Sequence, residues 1–255
     1  MGIRLSKSQL DKFVACARCF YLKQRHKLDQ PDMISSKVWK GVERITQAHY
    51  ERHRQAKTTP ENLLGQVPDG AIPYQGDRID MKALRYWGKG LRFMVDQVEV
   101  TTALDDMLQR PGPEGGTVYN VIDYKSKSKA TDEESTRQLY QNQADVFDLA
   151  CNVNEYPTDG KVYFDYWYPI EVRTGTETAG VADTNGRTIQ VWGSQVIVLQ
   201  ADHTRIKALI LAAAACLDSA MPEPRLKVGK VEGCPVCTYV HDREELFKGL
   251  GAPAA

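Results

Sequence analysis

The chain has 255 residues, 42% hydrophobic and 26% charged, which is the balance of a folded globular protein and leaves room for one large domain or two small ones. No apolar run reaches the roughly 18 residues a membrane span needs, and the N-terminus lacks a signal-peptide core, which together point to the cytoplasm. The formal net charge of +0 gives no overall electrostatic footprint for nucleic acid, although a local basic patch can serve a site on a neutral protein.

The first predicted element is a helix opened by the capping-box pattern Ser6-x-x-Gln9, with Leu10, Phe13 and Val14 at helical spacing. This helix is expected to continue through Cys16, Cys19 and Phe20-Tyr21-Leu22 into the basic stretch Lys23 to Lys27, and Pro31 ends the segment. A second helix is expected from about Ser36 to Gln55, with Val38, Val42, Ile45 and His49 marking its inner face. Pro60 to Gly76, punctuated by Pro68, Gly70 and Pro73, reads as loop. A short helix over Ile79 to Trp87 and an extended segment over Leu91 to Val100 follow.

The run Val98 to Leu108 has strand character, and Val118-Tyr119-Asn120-Val121-Ile122 is a clear strand of β-branched and aromatic residues. Between them, Pro111-Gly112-Pro113-Glu114-Gly115-Gly116 is a strong turn signal, so the two strands are expected to form a hairpin. On the second strand Asp123 and Lys125 share a face while Tyr124 points away. The hairpin brings them toward Asp105, whereas Asp106 points to the opposite face. Two carboxylates beside one lysine suit a hard divalent cation and an activated water. The bland alternative is a surface ion pair on a hairpin.

Beyond the hairpin, the basic run Lys125 to Lys129 leads into a helix from about Glu133 to Cys151, with Leu139, Gln143, Val146 and Phe147 on one side. Val162 to Tyr168 reads as a third strand and Thr188 to Leu199 as a fourth, separated by a Gly/Thr-rich excursion. His203 to Leu217 is an alanine-rich helix closed by Met221-Pro222-Glu223-Pro224, and Gly249 to Ala255 is expected to be a flexible tail. The pattern predicts an α/β fold, a central mixed sheet flanked by helices, in one domain over 1–248.

Six cysteines in a chain of this kind do not suggest a secreted disulfide framework. Four form two C-x-x-C pairs, Cys16 with Cys19 and Cys234 with Cys237, while Cys151 and Cys216 lie in apolar helical contexts as core thiols. A metal shared by the four would staple the two distant segments together. Four thiolates suit a structural Zn²⁺ or a 4Fe–4S cluster, and spacing alone does not choose between them.

In the order of these elements the chain resembles the PD-(D/E)xK nuclease superfamily, most closely its RecB-like branch, which includes the CRISPR-associated iron–sulfur nucleases and the AddB-type helicase–nucleases. The resemblance covers nearly the whole chain. It rests on Cys16-Ala17-Arg18-Cys19-Phe20-Tyr21-Leu22, on the helix carrying Gly41-Val42-Glu43, on Asp105, on Asp123-x-Lys125, on Gln143-x-x-x-Phe147, and on the later cysteines. It departs where glutamate stands for the usual histidine, where phenylalanine stands for the usual tyrosine, and where the usual Gly before Asp105 is missing. Those relatives commonly carry one early cysteine and three late ones, against two and two here.

The resemblance implies a restriction-endonuclease-like core and a Mg²⁺- or Mn²⁺-dependent deoxyribonuclease, with an exonuclease acting on ends or single strands as the leading form. It implies that Asp105, Asp123, the Tyr124 backbone carbonyl and Glu43 hold the metal and that Lys125 and Gln143 complete the catalytic set. It tilts the cysteine centre toward the 4Fe–4S cluster, with Zn²⁺ as the alternative. Lys127, Lys129 and Arg137 are candidate phosphate-binding residues, supplying affinity without sequence readout. The competing reading is a nuclease-fold protein that binds nucleic acid or a partner without cutting.

Overall fold

The strand expected at Val118–Ile122 forms the middle of a mixed sheet in the computed structural model of the chain, which describes residues 2–29, 37–86, 88–113, 115–173, 189–227 and 233–249. In chain order the first elements are β1 (Ile3–Ser6), α1 (Lys7–Ala15), α2 (Ala17–His26), α3 (Lys37–Ala56), a 3-10 turn (Glu61–Leu63), β2 (Ile72–Pro73) and α4 (Met81–Arg85). There follow β3 (Leu91–Val95), β4 (Val98–Thr102), β5 (Asp106–Pro111), β6 (Thr117–Ser126), α5 (Glu133–Val153), β7 (Lys161–Arg173), β8 (Ile189–Gln200), α6 (His203–Asp218) and α7 (Pro235–Gly249). The fold is α/β, with mixed sheets flanked by helices. Among the described residues no helix is long and apolar enough to cross a membrane.

The chain divides into two compact units. The first draws on Met1–Ile34, Met94–Val100 and Thr204–Ala255. Its Leu10 and Phe20 are fully buried, and Phe13 meets Phe20 edge-on with ring centroids 5.4 Å apart. Arginines tie its segments together through backbone carbonyls: Arg18 Nη1 donates to Pro222 (3.1 Å), Arg25 Nε to Leu217 (2.9 Å) and Arg225 Nη1 to Ala15 (2.8 Å). The tip of the β3–β4 hairpin belongs to this unit, in a three-stranded sheet of order β1-β4-β3.

The second unit, Ser35–Phe93 with Thr101–His203, holds the five-stranded sheet of order β2-β5-β6-β7-β8. Only β6 and β7 run parallel; the other neighbours are antiparallel. β6 is buried from Tyr119 to Tyr124, as a central strand covered on both faces must be. On one face Ile122 and Tyr124 pack with Tyr50 of α3, Leu63, Val67, Leu108 and Tyr163. On the other, α5 lays Gln143 against Asp123, while Tyr140 stacks on Phe164 at 5.5 Å. The β5–β6 turn closes where Gly112 N donates to the Gly116 carbonyl at 2.7 Å, and Gly115 there adopts φ +82°, a conformation glycine tolerates without steric cost.

Four expectations are corrected. The first helix is two: Cys16 is extended (φ −163°, ψ 104°) and ends α1 while capping α2. The strand expected over Val98 to Leu108 is also two, because at Leu104 the chain leaves the sheet and its amide donates to the Leu84 carbonyl at 3.0 Å. On α3 the inward face is Thr46, Tyr50 and Arg54 at i, i+4 and i+8, while Ile45 is 71% exposed; Tyr50 and Arg54 reach the buried Asp165 and Asp106, and Thr46 donates to the Val42 carbonyl within the helix. On α5 Leu139 is exposed, and Gln143, Val146 and Phe147 carry the packing. The excursion at 174–188 and the tail residues 250–255 lie outside the described residues; Gly249 ends α7.

Candidate functional site

Asp105, Asp123, Lys125 and Gln143 meet at one end of β6. Asp105 lies in the bend before β5, and its Oδ2 accepts the Tyr124 amide at 3.2 Å. Asp123, on β6, is 2% exposed; its Oδ1 accepts from Gln143 Nε2 at 2.7 Å and its Oδ2 forms an ion pair with Lys125 Nζ. Gln143 turns its oxygen to Lys125 Nζ at 3.3 Å, so one amide holds both neighbours. Lys125 Nζ also lies 4.5 Å from the centre of the Tyr140 ring, a position that favours the ammonium form.

The electrostatics are those of crowded carboxylates. Burial first, and then the charge of Asp123, push the Asp105 carboxyl well above the usual carboxylate range; Lys125 pulls the other way. For Lys125, burial opposes the charged form, but the charge and hydrogen bond of Asp123 and the charge of Asp105 outweigh it and raise its pKa. Asp123 Oδ2 is buried without hydrogen-bond geometry to any partner, although Lys125 lies against it. Two close carboxylates, one oxygen of which lacks a hydrogen bond, fit a divalent cation with oxygen preference.

Asp106, on the opposite face, has a different job. It is fully buried and accepts Arg54 Nη2 on both oxygens (2.7 Å each), Arg85 Nη2 (2.7 Å), the Tyr124 hydroxyl (2.6 Å) and the Met107 amide (2.8 Å). Arg85 Nε also holds the Asp105 carbonyl at 2.7 Å. The Asp106 cluster therefore fixes the backbone that presents Asp105. The D-D pair announced it, but Arg54 and Arg85 gave no signal in the sequence.

The remaining expected residues are more dispersed. Tyr124 lies in the β6–β7 ladder opposite Asp165. Glu43 is exposed, its carboxylate accepting from Gln47 Nε2 at 3.2 Å, and among the described residues no hydrogen bond or ion pair links it to Asp105, Asp123 or Lys125. The physical reason is that α3 meets the Tyr124 face of the sheet, whereas Asp123 and Lys125 face α5. Lys127 donates to Thr131 Oγ1 at 3.0 Å with its Nζ 5.1 Å from the centre of the Tyr166 ring, Lys129 is exposed, and Arg137 pairs with Glu133 one turn away.

In the first unit the four cysteines meet. Their sulfurs lie 3.6 Å (Cys16–Cys237), 3.6 Å (Cys19–Cys234) and 3.8 Å (Cys19–Cys237) apart, and all four fall within 4.8 Å of one another. Each is under 8% exposed, and Leu226 and Val236 pack against them. Both pairs sit at helix starts. Cys16 caps α2 and accepts the Cys19 amide at 3.4 Å; Cys234 precedes Pro235, the first residue of α7, and accepts the Cys237 amide. Helix N-termini favour thiolates. Burial raises the Cys234 thiol, but amide and thiol hydrogen bonds outweigh it and lower its pKa, while burial and its neighbours push Cys237 up to about 11. Four buried sulfurs in this cage fit a metal ion such as zinc or an iron–sulfur centre.

No family model matches the chain, and no curated protein does.

Proposed function

We propose that the second unit is a Mg²⁺- or Mn²⁺-dependent nuclease with a PD-(D/E)xK core of the RecB-like kind, hydrolysing phosphodiester bonds of DNA at ends or on single strands. The observation that carries this reading is the convergence of Asp105, Asp123, Lys125 and Gln143 from a bend, a central strand and a helix. Asp105 and Asp123 hold the cation, which when bound supplies charge to offset that on the phosphate oxygens. Lys125, kept as an ammonium by its carboxylate neighbours, orients the attacking water and the phosphate through its donors. Gln143 fixes Asp123 and Lys125 relative to each other. Lys127, Lys129 and Arg137 serve the phosphate backbone nearby. Glu43 has no part in this arrangement.

The cysteine group is read as a structural centre. Sulfurs at about 2.3 Å from one tetrahedral ion lie about 3.8 Å apart. The 3.6–3.8 Å separations support that arrangement, whereas a cubane interposes irons and sulfides and holds its thiolates further apart. We therefore favour a single zinc.

The test is cleavage of labelled single-stranded, duplex and flapped DNA by the purified chain with Mn²⁺. Asp123→Ala and Lys125→Ala are expected to abolish it with folding retained. Full activity in Lys125→Ala refutes the mechanism. A wild-type chain that binds these DNAs without cutting them replaces it with the binding reading.

A further inference from the structure

The second unit carries another group of donors that the proposed nuclease chemistry does not use. His49 and His53 stand one turn apart on α3, so both rings leave the same face of the helix, with centroids 4.8 Å apart. Glu61, in the following 3-10 turn, reaches back to them. Its Oε2 lies 2.9 Å from His53 Nε2 and 3.9 Å from His49 Nε2, and the three donor atoms fall within 4.8 Å of one another.

Three donors at about 2.1 Å from a common ion sit roughly 3 to 4 Å apart, so only a small adjustment separates this arrangement from ligation. The rings are also held from behind. His53 Nδ1 is 2.8 Å from Thr58 Oγ1, the second-nitrogen contact that orients a ligating imidazole. His49 meets Trp167 edge-on at 6.0 Å. Its Nε2 lies 3.0 Å from Asn62 Oδ1, and that amide is pinned because its nitrogen donates to the buried Asp165 at 3.0 Å. The Asn62 oxygen is thereby fixed as a further donor beside the group. The histidine side chains are 16% and 14% exposed and that of Glu61 is 73% exposed, which leaves a wall of imidazole with one open side.

We propose that His49, His53 and Glu61, with the Asn62 oxygen beside them, form a second metal site, selective for a borderline divalent transition metal of the zinc, nickel or cobalt class. Two imidazoles and one carboxylate select such ions over Mg²⁺, which prefers oxygen and keeps its water. In the metal-free protein His49 Nε2 donates its proton to Asn62 Oδ1, so ligation through that nitrogen moves the proton to Nδ1 or releases it to solvent. With the open side toward solvent, the site exchanges its ion more readily than the enclosed cysteine group.

The experiment uses the full chain with its cysteines filled by Zn²⁺ and with excess Mg²⁺ present to occupy oxygen sites. Ni²⁺ is then titrated by calorimetry, and the denaturation midpoint is followed in parallel. Wild type is expected to bind one equivalent and to gain stability from it. Glu61→Gln, at an exposed position where folding is unaffected, is expected to weaken Ni²⁺ binding at least tenfold and to lose the Ni²⁺-dependent gain; His53→Gln is expected to lose the equivalent. No Ni²⁺ binding by wild type overturns the proposal, and so does equal binding by wild type and Glu61→Gln.

Discussion

Asp106 offers the sharpest test of how the second unit is built. It is fully buried and answers two guanidinium groups, Arg54 and Arg85, together with the Tyr124 hydroxyl and an amide. Asp106→Ala removes one negative charge and leaves both arginines facing a buried space, Arg54 with only 10% of its side chain exposed. Breaking a buried pair from one side costs about 3–5 kcal/mol; Glu51 stays 3.1 Å from Arg54 Nε and 4.0 Å from Arg85 Nη1, which places the expected loss toward the lower end of that range. Asp106→Asn keeps an acceptor but no charge, and it should fall between wild type and alanine. The four tryptophans (Trp39, Trp87, Trp167 and Trp192) all fall in the sequence stretches of the second unit, Trp87 lying outside the described residues, so denaturant titration followed by tryptophan fluorescence reports on this unit. The same loss is expected to lower the thermal midpoint by roughly 6 to 20 °C for a unit of this size. A change under about 1 kcal/mol in Asp106→Ala would refute the argument, since it would mean that the arginines find other partners or water.

Cys234→Ser is expected to release the metal and lower the stability of the first unit, as measured by metal content and by protease resistance of the α1–α2 segment; full metal retention would count against a four-thiolate centre. Gln143→Ala should lower Mn²⁺-dependent cleavage about 10–100-fold with a near-normal fold, the range for loss of a residue that orients metal-site groups; unchanged rates would remove its positioning role. Asp165 is pushed up to about 6 by burial, against hydrogen bonds from Trp167, Tyr50 and Asn62. Its folded pKa lies above that of an unperturbed aspartate, so the stability contributed by the protonated carboxyl is fully present at low pH and is lost as pH rises through about 6. Wild type should therefore lose stability relative to Asp165→Asn as pH rises across that window, and a pH-independent difference would contradict it.

Local signals were sufficient for β6, for the turn after Pro111 and for α5, because β-branched runs, glycine turns and helical spacing act over a few residues. The Asp123–Lys125 pair was equally readable, since alternation along a strand fixes which side chains share a face. Other features depend on tertiary structure. A single helical period ran through Cys16, and only the distant partners of its sulfur explain why the chain breaks there. On α3 the apolar positions point to an inward face with Ile45, yet the inner row is Thr46, Tyr50 and Arg54, and the last two answer Asp165 and Asp106, which lie far away in sequence. Glu43 was placed by family pattern alone, and the helix presents it to solvent. Alternation along the strand puts Asp106 on the face away from Asp123, and two arginines from separate helices make it central to the fold.

The way the first unit is assembled from three separate stretches has a consequence for synthesis. Cys16 and Cys19 are made before the second unit, yet Cys234 and Cys237 follow more than two hundred positions later. Every residue of the second unit is translated in between, so its sheet can close while the early cysteine pair still waits. During that interval the pair lacks the two later thiols, so a four-thiolate centre can form only after Cys237 has been made.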